Sequence, residues 1–346
     1  MFYRPVHLIP PNTRIDFMRW HKITFVISLC LVLGSFALIF LKGLNFGIDF
    51  EGGILIKAQS TQGPADLATL RSQLDSIGVG EVSLQELGSS TDVSIRLAHQ
   101  KYSDADLNQA QDEIKKERPG TRQDELERMG PTRADGEAQR HAVDKVTQSL
   151  GSAYAVRGWQ FVGPKVGGEQ IQAAIWAIIL SMGGIMAYVW FRYEWQFGVN
   201  VLAALIHDCV TTVGLFALLG YEFNLTVVAA VLTIAGYSVN DTVVIYDRIR
   251  SELRRYKKMP LSELLNLSIN ETLPRTVMTS GITLLSVIAL YFFGGESLHG
   301  FSLAMLWGIC IGTYSTIYVA APMLIYMNLR REKVGPTVKA DVAPRP

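Results

Sequence analysis

The sequence predicts a membrane α-helical protein: six transmembrane helices, with one extracytoplasmic ferredoxin-like α+β domain between the first and second. Three observations carry this. Six apolar runs approach or exceed the roughly 20 residues that cross a bilayer. The links between these runs alternate in charge. Residues 42–170 are a polar stretch of a different character. A mean hydropathy of +0.22 over 346 residues fits such a mixture. The net charge of +1 argues against nucleic acid as the main partner. Cys30, Cys209 and Cys310 all lie in apolar runs and supply neither a disulfide framework nor zinc spacing.

Residues 1–23 are mixed and basic, with Arg4, Arg14, Arg19 and Lys22, and read as a cytoplasmic N-terminus. The first span is 24–41. It is long for a signal-peptide core, and LKGLNFGIDF after it offers no small-x-small cleavage site, so an uncleaved anchor is expected. Residues 42–170 hold 15 of the 32 Lys and Arg and 19 of the 31 Asp and Glu, with no run long enough to span. Long domains translocate regardless of charge, so those basic residues do not oppose an outside location.

Within that stretch FEGGILIKAQ alternates as a strand. PADLATLRSQLDSIG reads as a helix with Pro64 in its first turn and Gly78 after its end. EVSLQEL and TDVSIRLA are short strands joined by a Gly/Ser turn, a helix begins near Ser103, and AVRGWQFVGP is a last strand. The order β-α-β-β-α-β is the ferredoxin-like one. Residues 112–140 are too polar for a core and predict a solvated helical insertion, broken at Pro119-Gly120 and Gly130-Pro131. GIDFEGG at 47–53 lacks the Lys and following helix of a phosphate loop. No nucleophile–base pair or metal-ligand cluster stands out in this domain. No enzyme activity and no cofactor or metal are expected.

Five more spans follow, 171–191, 197–219, 223–247, 275–294 and 301–327, with a tail at 328–346. The links 192–196 and 248–274 and the tail carry Lys or Arg, whereas 220–222 and 295–300 carry none. Positive charge stays inside, so both termini are expected in the cytoplasm and 42–170 outside.

The fourth span carries Asn240 and Asp241 side by side, although a carboxylate at membrane depth costs about 2.5–3.5 kcal/mol on insertion scales. Asn200, His207 and Thr211 share one face of the third span, with Asp208 next to them. Thr233, Tyr237 and Asp241 recur every fourth residue on the fourth span, as do Arg275, Thr279 and Thr283 on the fifth. Stripes of this kind should face one another or a wet crevice. Asp241 lies about 9 Å to the cytoplasmic side of its span's centre, the side on which Arg275 begins the fifth, so the two can meet. Protonating the carboxylate would break such a pair. The blander readings are hydrogen-bonded helix joining for His207 and Asp208, snorkelling for Arg275, an interfacial anchor for Asp247 with Arg248, and close packing for Gly308 and Gly312.

NFGIDFEGG at 45–53, FVGPKVG at 161–167, LIHD at 205–208, AGYSVNDTVVIYDRIR at 235–250 and NETLPRTVMTS at 270–280 resemble the motifs of the SecF family. These are membrane subunits of the accessory complex of the bacterial Sec translocon, in the resistance-nodulation-division superfamily. The resemblance implies a bacterial inner-membrane location with a periplasmic 42–170 domain. It also implies pairing with SecD, a six-span subunit related to SecF by a pseudo-two-fold axis, and work beside the SecYEG channel and YajC. The complex would draw unfolded preprotein outward after SecA has begun its transfer. The proton motive force would drive it, with sodium as the alternative coupling ion and membrane lipid around the spans. By motif position Asp241 matches the family's essential membrane carboxylate, with Asn240 beside it, and Arg275 and Thr279 match its gating partners. His207 and Asp208 join this candidate coupling set, and SecD would add a further acid. The competing classes are a small-molecule or lipid exporter of the same superfamily, which would want twelve spans and two outer domains in one chain, and a passive assembly factor.

Overall fold

A computed structural model of the chain describes residues 10, 13–87, 89–327 and 329. The 328–346 tail, apart from 329, lies outside the described residues. So do residues 1–9, 11 and 12 of the N-terminal stretch and Gly88 of the strand-joining turn. Among the described residues six helices are long and apolar enough to cross a membrane: Met18–Leu41, Lys165–Arg192, Trp195–Leu219, Leu225–Arg255, Leu261–Phe293 and His299–Tyr326.

The elements follow in order. A 3-10 turn, Met18–Trp20, leads into α1 (His21–Leu41). A short strand β1 (Asn45–Phe46) and one helical turn α2 (Ile48–Glu51) form a root. Then come β2 (Gly53–Ser60), α3 (Leu67–Ser76), β3 (Val82–Leu87), β4 (Ser89–Leu97), α4 (Asp104–Glu117), α5 (Gln123–Leu150) and β5 (Tyr154–Val162). The bundle resumes with α6 (Pro164–Arg192), α7 (Trp195–Leu219), the short strand β6 (Glu222–Phe223), α8 (Leu225–Arg255) and α9 (Leu261–Phe293). It closes with α10 (His299–Ser315), which passes through a π-helical turn, Thr316–Ala320, into α11 (Ala321–Tyr326).

The α+β domain has a sheet of order β3-β4-β2-β5, antiparallel throughout, which is the ferredoxin-like arrangement expected from the element order. Alternation along β2 and β4 sends Ile54, Ile56, Ala58, Val93, Ile95 and Leu97 to one face. There they meet Leu70 and Leu74 of α3 and Val143, Val146 and Leu150 of α5. Asp66 caps α3 by accepting from the Ala68 and Thr69 amides, so the helix starts three residues after Pro64 rather than around it. Gly53 has φ of 113°, and a Cβ there would fall 2.5 Å from the Leu97 carbonyl oxygen. Only glycine meets both conditions.

Two expectations are corrected. The polar 112–140 stretch breaks at Pro119-Gly120 but not at Gly130-Pro131, where α5 runs straight through. It forms an antiparallel hairpin with α4 and has a small core of its own, Ala110, Ile114, Leu126 and Ala134. Gly130 permits this, because a Cβ there would lie 2.9 Å from Gln111 Cγ. On the outside, Arg133 binds Glu113, Glu117 and Glu137 at 2.8–3.2 Å. The fifth span also does not begin at Arg275: α9 starts at Leu261 and continues through Pro274. Its first turns bury Leu264, Leu265 and Ile269 against Phe17, Met18 and Tyr246, which repays the hydrogen bond that the proline forfeits. Asn266 and Asn270 hold the chain at Ile15–Met18 there through side-chain bonds of 2.7–2.9 Å.

In the bundle α7, α8 and α10 form the centre, and α1, α6 and α9 expose most of their apolar surface. One end of the bundle carries the α+β domain. Its core there is Phe50, Phe216, Phe223, Val227 and Met305.

Candidate coupling site within the helix bundle

Polar side chains on α7, α8, α9 and α10 converge inside the bundle. Asp208 on α7 is fully buried. Its Oδ2 accepts from the Ser238 hydroxyl on α8 at 2.7 Å and from the Ser315 hydroxyl on α10 at 2.9 Å. Its Oδ1 lies 3.0 Å from His207 Nδ1. With Nδ1 donating, His207 Nε2 is buried without a partner among the described residues. Small residues admit this packing: Gly312 of α10 would place a Cβ 3.3 Å from Ser238 Cβ, and Gly308 of the same helix lies against Ile234 of α8. The Gly308 and Gly312 pair thus does the close packing that its spacing suggested. Beside it Thr242 and Thr316 share a hydrogen bond of 2.9 Å. From the other side Tyr314 bonds the Thr24 carbonyl and Ser28 of α1 at 2.9 and 3.0 Å.

Asp241, one helical turn along α8 from Ser238, is held differently. It is 4% exposed, and the Ser280 hydroxyl donates to it at 3.5 Å. That is the outer limit of a hydrogen bond. Ser280 in turn is 3.0 Å from Thr313 Oγ1 and 3.5 Å from the Tyr237 hydroxyl. Thr279 also addresses the carboxylate, and Arg275 acts on it through its charge alone. No ion pair within 4.0 Å joins Asp241 to Arg275 among the described residues. Asp208 is locked by three close partners, whereas Asp241 sits among hydroxyls that hold it loosely.

The sequence-predicted residues therefore divide. His207, Asp208 and Asp241 come together in the interior, and Thr279 lies half-buried at its edge. Arg275 is exposed on α9, within electrostatic range of Asp241 but out of contact. Asn240 is a correction: it is exposed on α8 and makes no hydrogen bond to the cluster among the described residues. One helical step turns Asn240 about 100° from Asp241, which at this position takes it out of the bundle interior. Thr233 is exposed as well, its hydroxyl donating to the Ala229 carbonyl of its own helix at 2.7 Å. Ser238, Ser280 and Ser315, which supply most of the contacts, were not singled out as contact residues. Asp247 pairs with Tyr193 at 2.7 Å and Arg192 at 4.0 Å rather than with Arg248, which binds Glu252 and Glu271. The Asp247 bond and burial hold the Tyr193 phenol above its ordinary range, burial being the larger cause.

Residues 142–330 match the family model "Protein export membrane protein SecD/SecF, C-terminal", and residues 37–63 match the "SecD/SecF GG Motif". The protein translocase subunit SecF of Rickettsia bellii is 41% identical over 330 residues, covering 95% of this chain and 99% of that one. The chain belongs to the SecF family. The SecF of Rhodobacter capsulatus is 40% identical over 329 residues, covering 94% of this chain and 92% of its own. Among solved structures, SecDF of Thermus thermophilus, described as a translocon-associated membrane protein, matches with a TM-score of 0.77 at 32% identity. The match covers 93% of this chain and 40% of that one. SecDF in a super-membrane-facing form matches with a TM-score of 0.62 at 33% identity. Family membership with six apolar spans makes this a multi-pass membrane protein, and its SecF relatives are translocase subunits rather than classical enzymes. The GG motif match falls on the root that joins α1 to the α+β sheet.

Proposed function

We propose that this chain is the SecF half of a SecD–SecF pair in the bacterial inner membrane, and that the pair uses the proton motive force to promote preprotein translocation after SecA-driven transfer. Its termini lie in the cytoplasm and its α+β domain in the periplasm, beside SecYEG and YajC. Asp241 takes and releases the coupling proton. Arg275 and Thr279 lie on the neighbouring helix as its charge-sensing partners, and SecD supplies a second acid. His207 and Asp208 hold the central helices together around this site.

The observation that carries the reading is the contrast between the two buried acids. A carboxylate with three donors at 2.7–3.0 Å is fixed in its place. A carboxylate among hydroxyls, with a guanidinium in range but out of contact, can change partner when its charge changes. One charge crossing 100 mV releases about 2.3 kcal/mol, enough to shift a two-state equilibrium by roughly fiftyfold.

The test is proton flux and preprotein export in proteoliposomes holding the full complex, with Asp241→Asn against the parent. The variant should assemble and lose both activities. Normal export by Asp241→Asn would instead favour a passive assembly role. Repeating the export measurement without sodium at fixed membrane potential separates proton from sodium coupling.

A further inference from the structure

The α+β domain is not attached to the bundle only through its two covalent connections. Its root is tied to the hairpin between α7 and α8. β1 and β6 pair in parallel, Asn45 with Glu222 and Phe46 with Phe223. The Gly47 amide donates to the Phe223 carbonyl at 2.9 Å, and a Cβ on Gly47 would sit 2.6 Å from Glu222 Oε1. Asp49 Oδ2 accepts from the Leu225 amide at 3.0 Å, which places a carboxylate on the first turn of α8 beside the Asn224 cap. Negative charge there is favoured by the helix dipole and by its free amides. Phe46, Phe50, Phe216 and Phe223 pack edge-on and stacked at 6.0–6.3 Å.

One side chain of the sheet itself joins this root. Arg96 on β4 donates through Nη1 to the Phe46 carbonyl at 2.6 Å and to Asn45 Oδ1 at 3.2 Å. Its Nη2 lies 3.4 Å from Glu222 Oε2, and Glu51 is at 3.9 Å. The Arg96 and Glu222 side chains are only 13% and 18% exposed, so solvent screens the pair less than it would a surface pair.

We infer that Asp49, Arg96 and Glu222 are positioning residues that fasten the α+β domain to the N-terminal end of α8, so that a shift of α8 is delivered to the domain. This rests on the proposed coupling role of Asp241, which lies about 24 Å further along the same helix. An α-helix transmits axial displacement well, and α8 is unbroken between the two points. None of the three residues touches the coupling site, so their effect on export runs through the joint.

The test uses the full chain with SecD, with Cys30, Cys209 and Cys310 replaced by alanine. Spin labels go on cysteines at Asp124 of the helical hairpin and at Leu219 at the end of α7, both exposed. Asp49→Ala and Arg96→Ala should broaden the inter-label distance distribution. Each should also lower preprotein export by roughly tenfold, the factor that corresponds to about 1.4 kcal/mol. Asp49→Asn keeps an oxygen for the Leu225 amide, and Arg96→Lys keeps a cationic donor for the Phe46 carbonyl and Glu222, so both should restore narrow distances and export. Unchanged distances in the alanine variants overturn the fastening. Broadened distances with parental export overturn its role in transmission. If the alanine variants fail to accumulate, the two conservative variants decide, and narrow distances with poor export in those overturns the inference. Parental export by Asp241→Asn would sink the coupling role while leaving the distance result to stand.

Discussion

Asp208 receives two hydroxyl donors on one oxygen, and this dictates how stability should respond to their removal. Ser238→Ala removes the donor at 2.7 Å and Ser315→Ala the donor at 2.9 Å. Hydrogen bonds to charged groups are worth about 1.5–3 kcal/mol in soluble proteins. Polar pairs inside membrane bundles average only about 0.6 kcal/mol, with a maximum near 1.7. Each single variant leaves Oδ2 with one donor, so the smaller range applies and a loss of about 0.6–1.7 kcal/mol is expected. The double variant leaves a fully buried oxygen with none. Its loss should exceed the sum of the singles by about 1 kcal/mol or more, within the range of coupling energies for groups that share a partner. Thr233→Ala, which removes an exposed hydroxyl bonded to its own helix, serves as the control and should change stability by less than about 0.5 kcal/mol. Free energies of unfolding in mixed micelles, measured by steric trapping for the four-member cycle, give the coupling directly. Additive losses, or a double variant within about 0.5 kcal/mol of the parent, would refute the view that Asp208 anchors α7, α8 and α10.

Two further outcomes concern the α4–α5 hairpin. Pro131→Ala should stabilise it by about 1–3 kcal/mol, since an interior proline costs roughly 3 kcal/mol against alanine. Slower amide hydrogen exchange across 123–140 would show this, and no change would mean that the proline is better accommodated than an uninterrupted α5 allows. The Arg133 guanidinium holds Glu117 below the usual carboxylate range, so the pair contributes stability above that range and loses it as pH falls through the lowered value. Protection of the hairpin amides should therefore decline on acidification, and Arg133→Gln should flatten that profile. High salt should weaken the parent in the same way.

Much of this fold was readable because the bilayer imposes simple rules. Length and apolarity locate the six spans, and period-2 alternation locates the strands around Ile56 and Ile95. The two helix ends placed wrongly share one cause. Gly130-Pro131 and Pro274 are local breakers, and tertiary burial of Leu126 and Ala134, or of Leu264 and Leu265, overrides them. At the site the acids announce themselves because charge in a membrane is costly, whereas their partners do not. Ser238, Ser280 and Ser315 are small hydroxyl residues of a kind that also serves plain helix packing, so nothing in their identity marks them. The placement of Asn240 could not be read from the 100° step along α8, since the neighbours His207 and Asp208 are both buried on α7. Nor could the separation of Asp241 from Arg275, because matching depth does not fix helix rotation.

The pairing of Asn45 with Glu222 has a consequence for how the molecule is made. The partners lie about 177 residues apart, and a ribosome adding roughly 5–20 residues per second needs about 10–35 s to pass from one to the other. Through that interval the sheet can close its own core, while Phe50 waits uncovered for Phe223. Biogenesis thus contains a timed exposure of aromatic surface at the membrane boundary, which ends when the hairpin between α7 and α8 has been inserted and the short parallel ribbon can zip shut.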